Sequence, residues 1–307
     1  MRAISTRGLT KRYGKVTAVN GVDLEVNEGD VYGFLGPNGA GKSTTIKMIL
    51  DFVRPTSGSV EVMGVDPQEN PVEVKKNLGF LPQEYGLYPR LTGKTHIEFA
   101  MESKGVDGDP DVLLERVGLD GEGDRKVGGY SGGMKKRLAL AMAISGEPSV
   151  LVLDEPTSAL DPNGAREVRE IVREENERGA TVFFSSHILE QVEAVCNRVG
   201  ILSNGSLVVQ DNVDHLRGGE SVLEVTVLEP GETVEEVGRI DGVKEVSQEK
   251  TEAGFDLNFR LTSSEAKIKV IEKLQTNGCD ILDFSTEEKS LEEMFAQYTE
   301  QHHGGGE

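Results

Sequence analysis

At 307 residues with 36% hydrophobic residues, the chain is long enough for two domains that each bury a core. No run approaches the ~18–20 apolar residues of a membrane helix, and the opening segment lacks the apolar centre of a signal peptide. A soluble, cytoplasmic protein is expected, whose net charge of −20 repels phosphodiester backbones and argues against nucleic-acid binding.

An acidic surface of this kind is expected of a protein adapted to a salty cytoplasm, where self-repulsion is screened. Cys196 and Cys279 lie far apart without C-x-x-C spacing, so they read as small buried apolar residues, not as a disulfide framework or zinc site.

In chain order, residues 1–29 read as two strands and a turn: 3–6 leads into 9–13, and the alternation of Val22, Leu24 and Val26 continues from residue 18. Tyr13 is either an aromatic that stacks on a nucleobase or a surface tyrosine between cations. Residues 30–35 form a short, largely apolar strand, and 44–52 a helix with Ile46, Ile49 and Leu50 as candidates for its buried face. Between them Gly36, Pro37, Asn38, Gly39, Ala40, Gly41, Lys42 and Ser43, followed by Thr44, fit the phosphate-binding pattern G-x-x-x-x-G-K-S in its proper strand-to-helix setting. Gly36, Gly39 and Gly41 let the backbone curl until successive N–H groups point at a polyphosphate, and the helix dipole adds positive charge behind them. Lys42 is placed to reach the β- and γ-phosphates, and Ser43 to offer its hydroxyl to Mg²⁺.

Residues 54–58 carry turn signals, and 59–63 alternate as a strand. A short helical segment follows, then a strand at 78–82 that ends at Gln83, a polar loop residue unless its company gives it a role. Residues 91–119 are helical with a Gly- and Asp-rich break at 105–109, and 121–130 form a polar glycine-rich loop. Ser131, Gly132 and Gly133 stand where a helix cap belongs, ahead of Leu138, Ala141 and Met142 at helical spacing. This second helix N-terminus can bind an anion or be simply capped, with Lys135, Lys136 and Arg137 as an ordinary solvated face.

Residues 149–153 are a continuous apolar run of the kind a central parallel strand shows, ending in Asp154 and Glu155. Carboxylates at that edge lie where open α/β sheets bind ligands: Asp154 suits Mg²⁺, and Glu155 can orient or deprotonate an attacking water. The segment 158–161 precedes an amphipathic helix at 162–178. A buried strand at 180–185 then ends at Ser186 and His187, on the same edge as the loop, the acid pair and Gln83, which points to a γ-phosphate contact for His187.

Taken together, Tyr13, GPNGAGKS, Gln83, YSGGM, LVLDEP, SALD and the SSH ending in His187 resemble, in family order, the ATP-binding subunit of an ABC transporter over residues 1–215. The signature departs from the commonest LSGGQ at Tyr130 and Met134, and its YSGGM form is similar to the drug and antibiotic exporter branch. The resemblance implies an α/β P-loop ATPase with a helical subdomain at about 84–147. It also implies Tyr13 on adenine, and ATP with Mg²⁺ held by residues 36–44, the metal at Ser43, Gln83 and, through water, Asp154. Glu155, His187, Gln83 and Lys42 are then the catalytic set. Ser131, Gly132 and Gly133 are expected to close on the ATP of a second subunit in a homodimer. The segment after Gln83 is expected to dock a separate integral-membrane permease, placing the chain peripherally on the inner face of the membrane. Against a soluble ABC ATPase acting on ribosomes or DNA stand the single cassette and the acidic surface; against a GTPase, the lack of an N-K-x-D motif.

Beyond a linker at 216–219 the pattern changes. Strands at 222–228, 243–246, 254–261 and 280–284, a helix at 266–274 opened by a capping box from Thr262 to Glu265, and a final helix at 291–298 opened by Ser290 and Glu293 read as a small α+β domain over 216–307. Its ending, SLEEMF, resembles the accessory domain of exporter ATPases. It carries −12 of the net charge against −8 for the first 215 residues. A regulatory or dimer-stabilising role and a solvated appendage both fit it, and residues 301–307 are expected to fray.

Overall fold

The computed structural model describes residues 1–158, 160–217, 221–229, 236–251 and 254–288. The chain divides into two compact units between Asp211 and Asn212.

In the first unit, β1 (Arg2–Tyr13) is one long strand where two short ones are expected. Gly8 explains the difference. At φ 55° it takes a conformation that costs glycine little, and its N–H donates to Asp23 Oδ1 at 2.6 Å. The strand therefore bends without ending. Its first half pairs with β3 (Glu25–Asn27), its second half with β2 (Val16–Val22), and β5 (Ser57–Val62) runs along the other side, all antiparallel.

The second sheet positions the site. Its order is β10 (Ser206–Asn212), β9 (Arg198–Ser203), β4 (Val31–Leu35), β8 (Thr181–Ser186), β7 (Val150–Asp154) and β6 (Leu78–Leu81), the last five parallel. Every residue of β4, β7 and β8 is buried, as strands covered on both faces require. Tyr32, Phe34 and Phe183 stack through the centre with ring centroids 5.1–5.7 Å apart. Helices α1 (Lys42–Ile49), α2 (Pro71–Lys76) and α6 (Pro162–Glu177) intervene between strands; α1 buries Ile46, Ile49 and, at its cap, Leu50. A helical layer comprises α3 (Gly93–Lys104), α4 (Pro110–Arg116) and α5 (Gly132–Ile144), with the 105–109 break between the first two.

Residues 188–217 hold elements that the sequence reading does not assign: α7 (Leu189–Glu193), β9, β10 (Ser206–Asn212) and α8 (Val213–Arg217). The apolar residues of β9 are interrupted by Gly200, which is needed there because a Cβ would meet the Tyr32 hydroxyl at 2.2 Å. The expected linker thus begins inside α8.

The second unit is an antiparallel sheet ordered β12 (Val243–Lys250), β13 (Phe255–Leu261), β11 (Ser221–Val227), β14 (Ile281–Glu288). Helix α9 (Ser264–Thr276) sets Ala266, Val270 and Leu274 against Leu223, Val225, Leu257 and Phe259. The helix cap is Ser263, whose Oγ accepts from the Ala266 N–H at 3.2 Å. Thr262, the expected cap, instead donates to the Gly242 carbonyl. The expected helix at 291–298, its capping box and the fraying end lie outside the described residues. Cys196 and Cys279 are both buried. Among the described residues no helix is long and apolar enough to cross a membrane.

Candidate functional site

Four neighbouring strands deliver the predicted residues to one edge. Leu35 of β4 is in register with Ser186 of β8, and Asp154 of β7 with Ser185. The loop from Gly36, His187, the pair Asp154–Glu155 and Gln83 therefore leave β4, β8, β7 and β6 at their carboxyl ends. Pro37, Asn38, Gly39, Gly41, Lys42, Ser43, Thr44, Gln83 and Glu155, with Ala18, line a cavity of about 380 Å³.

The loop is held by backbone that tolerates only glycine. Gly41 has φ 107°, and a Cβ there would stand 2.5 Å from the Ala18 carbonyl; one on Gly36 would stand 2.4 Å from that of Leu202. Ala40 is buried, with its N–H bonded to Pro37 O at 3.2 Å. Lys42 Nζ donates to Gly36 O at 2.5 Å and Pro37 O at 3.3 Å, and lies 3.5 Å from Glu155 Oε1. Burial lowers its pKa, with Glu155 pulling the other way. The ammonium is thus held inside its own loop, in reach of the space a polyphosphate would fill.

Glu155 is the most constrained residue of the edge. It is buried and has φ 52°, a left-handed conformation that a non-glycine residue adopts at a cost of about 1–3 kcal/mol. Its N–H donates to Ser185 Oγ at 3.0 Å, and that hydroxyl donates onward to Asp154 Oδ1 at 2.7 Å. Its carbonyl accepts from Lys136 Nζ at 2.6 Å and Ser158 Oγ at 2.8 Å. Its carboxylate faces the cavity between Lys42 and His187, whose Nδ1 is 2.9 Å from Oε2. A carboxylate in its ionised form only accepts, so Nδ1 is the donor in this pair.

The donor set suits a hard cation. A serine hydroxyl, a glutamine amide oxygen and one carboxylate are oxygen ligands of the kind Mg²⁺ takes while keeping water, and Ser43 and Gln83 share the cavity.

Asp154 and His187 do not line that cavity themselves but are bonded to Ser185 and Glu155 at the same edge, and two further predicted groups are also off its wall. Tyr13 ends β1 half-exposed, with Lys11 Nζ 5.1 Å from its ring centroid. Ser131, Gly132 and Gly133 are absent from the cavity wall; Ser131 Oγ caps α5 by accepting from the Met134 N–H, and no atom would obstruct a Cβ on Gly132 within 4 Å. Tyr130 faces inward, its hydroxyl donating to the Glu122 carbonyl at 2.6 Å.

One expectation is corrected. Lys136 is no part of a solvated face: it is 4% exposed, with its ammonium under the Glu155–Ser158 turn. Lys135 to Arg137 look alike as a cation run, and only the packing of α5 separates them. Ser185 likewise escaped notice, although the paired serines before His187 were visible.

The family described as "ABC transporter" matches residues 19–158, and one described as "ATP-binding protein DrrA1-3-like, C-terminal domain" matches 215–299. The bacitracin transport ATP-binding protein BcrA of Bacillus licheniformis is 35% identical over 308 residues, covering 99% of this chain and 98% of its own. The daunorubicin resistance ATP-binding protein DrrA2 of Streptomyces coeruleorubidus is 35% identical over 309 residues, covering 97% and 95%. A solved ATP-binding subunit of an ABC transporter superposes with a TM-score of 0.65 at 28% identity, covering 70% of this chain and 92% of that one. A dimeric bacterial ABC transporter cassette gives 0.63 at 26%, covering 68% and 98%.

Proposed function

The chain belongs to the ABC transporter family as one of its ATP-hydrolysing proteins, and from that premise we propose that it forms one half of a dimer closed around two ATP molecules and drives a separate membrane permease that exports an antibiotic-like substrate. The observation that carries this reading is the separation just described. The loop, Gln83 and Glu155 line one cavity and His187 is bonded to the Glu155 carboxylate, while Ser131, Gly132 and Gly133 stay off its wall and bond to none of these residues' side chains, so the site is half complete until a second chain brings its own α5 to it.

In this reading the N–H groups of residues 36–44 take the phosphates, and Tyr13 stacks on the adenine. Lys42 exchanges the carbonyls of Gly36 and Pro37 for phosphate oxygens. Glu155 orients the attacking water and accepts its proton, and His187 holds the carboxylate in place beside the γ-phosphate. Ser43, Gln83 and Asp154 would hold Mg²⁺, which supplies charge neutralisation of the phosphates. Loss of the γ-phosphate removes what the two chains share, and a contact present in only one state can drive a cycle.

We assign catalysis to residues 1–215, with the helical part at 84–147, and an accessory role to the acidic domain at 216–307. We place the permease on the apolar groove of about 340 Å³ formed by Phe80, Pro82, Tyr85, Leu87, Phe99 and Met142. Tyr85 donates to the Gly132 carbonyl at 3.4 Å, which links that groove to α5. The chain would thus sit on the cytoplasmic face of the membrane. The names of BcrA and DrrA2 speak of bacitracin transport and daunorubicin resistance, which supports export. A tagged full-length chain purified from its own cells is expected to bring down a six-helix membrane protein that stimulates its ATPase; recovery with ribosomes or DNA instead would overturn the proposal in favour of a soluble ABC ATPase.

A further inference from the structure

We propose that Lys136 is a positioning residue for hydrolysis, fixing Glu155 to helix α5 through the turn that joins them. The inference rests on the reading of Glu155 as the group that handles the attacking water.

The argument starts from a backbone that would not keep its shape unaided. Glu155 is a buried non-glycine residue at φ 52°, and it holds that conformation because both of its peptide groups are gripped. Ser185 of β8 takes its N–H, and Lys136 takes its carbonyl. The lysine ammonium has three hydrogens, and three acceptors surround it: Glu155 O at 2.6 Å, Ser158 Oγ at 2.7 Å and Ser158 O at 3.1 Å. Ser158 Oγ in turn donates to Glu155 O at 2.8 Å, closing a small ring of bonds under the turn. Burial draws the ammonium down to about 8, with Glu155 and Asp154 opposing, so it remains charged at neutral pH.

Lys136 lies in the second turn of α5, the helix that opens at Ser131. The helix end facing a partner's ATP and the peptide carrying this chain's own carboxylate are therefore joined through one ammonium. A displacement of α5 moves the Glu155 carbonyl with it. A lysine that merely filled space would make no such connection.

The test uses the full-length chain with Lys136→Met, which keeps the side-chain length and removes the donors, beside Lys136→Arg, which restores donors and charge. Lys136→Met is expected to lower kcat about tenfold or more with KM for ATP within about threefold, and Lys136→Arg to stay within about threefold in both. An unchanged kcat in Lys136→Met, a rise in KM at unchanged kcat, or equal losses in the two variants would overturn the proposal. Glu155→Gln, assayed in parallel, separates the two ways to fail: turnover retained there sinks the role of Glu155, while an inactive Glu155→Gln beside an active Lys136→Met sinks the positioning role alone. Where Lys136→Met does not fold, Ser158→Ala removes one acceptor and leaves the lysine in place; kcat is then expected to fall about threefold at constant KM, and an unchanged kcat counts against the proposal.

Discussion

His187 Nδ1 stands 2.9 Å from Glu155 Oε2, joining the ends of adjacent parallel strands, while the other oxygen of the same carboxylate lies 3.5 Å from Lys42 Nζ. One buried carboxylate is thus shared between the ammonium of the phosphate loop and an imidazole. Removing either neighbour, or the charge itself, has separable consequences.

Glu155→Gln keeps the size of the side chain and removes the base. Turnover is expected to fall about 10²- to 10⁴-fold, while ATP binding is retained and ATP-dependent dimers accumulate on size exclusion. Loss of nucleotide binding would show that Glu155 serves the loop through Lys42 instead of the chemistry.

His187→Ala leaves Glu155 Oε2 without its donor and frees the carboxylate to turn towards Lys42. A kcat about tenfold lower or more, with little change in nucleotide affinity by fluorescence titration, is the expected result. An affinity loss of the same size at constant kcat would make His187 a binding group only.

Gly41→Ala and Gly39→Ala distinguish clash from strain in the loop. Both positions have positive φ, 107° and 83°, but only the Cβ on Gly41 meets a backbone atom, while that on Gly39 has open space. Each change carries about 1–3 kcal/mol of strain, and Gly41→Ala must displace the β2 backbone at Ala18 as well. Nucleotide affinity is expected to fall further in Gly41→Ala; the reverse order would mean that the loop is shaped differently when it binds.

Stability without nucleotide is expected to rise between pH 8 and 9. Burial draws Lys136 and Lys104 down from 10.5 to about 8, the latter while it donates to the Ala143 and Ser145 carbonyls at the end of α5. In that window the unfolded chain holds more protons than the folded one, so the slope of stability against pH is positive. Above it the rise is increasingly opposed, because burial pushes the Cys196 thiol and the Tyr32 hydroxyl up, and both then ionise first in the unfolded chain. Denaturant midpoints across pH 7.5–9.5 check this, and Lys104→Met is expected to flatten the rise. A midpoint falling steadily from pH 7.5 would contradict it.

From the net charge of −20 a stabilisation by salt is expected. The melting temperature is expected to climb as KCl rises from about 0.1 M to about 2 M, since the Debye length shrinks from about 10 Å to below 3 Å. A melting temperature indifferent to salt would remove the case for adaptation to a salty cytoplasm.

Much of this was legible before any coordinates, and the reason is locality. The phosphate loop needs glycines at set intervals between a strand and a helix, so Gly36 to Ser43 announce it by themselves. The apolar run ending in Asp154 and the strand ending at His187 show their burial in composition, because a strand covered on both faces has no polar side to hide. The second unit was readable through its alternation, although its helix opens one residue later than expected, at Ser263, because Thr262 turns to the Gly242 carbonyl.

What the chain alone could not reveal depends on partners distant in sequence. The strands run β9–β4–β8–β7–β6 in space, an order set by parallel pairing across long connections, and that order alone brings His187 against Glu155. Whether Gly8 ends a strand or bends it was decided by Asp23 fifteen residues away. Lys136 stands between two other cations and differs from them only in the side of α5 that packs on the turn after β7. By itself the sequence marked Gly36 to Ser43 as the candidate loop for a nucleoside triphosphate, since that pattern is written in neighbouring residues. The tertiary structure decided how the carboxylate beside it is held, because both bonds that grip the Glu155 peptide come from elements folded in from elsewhere.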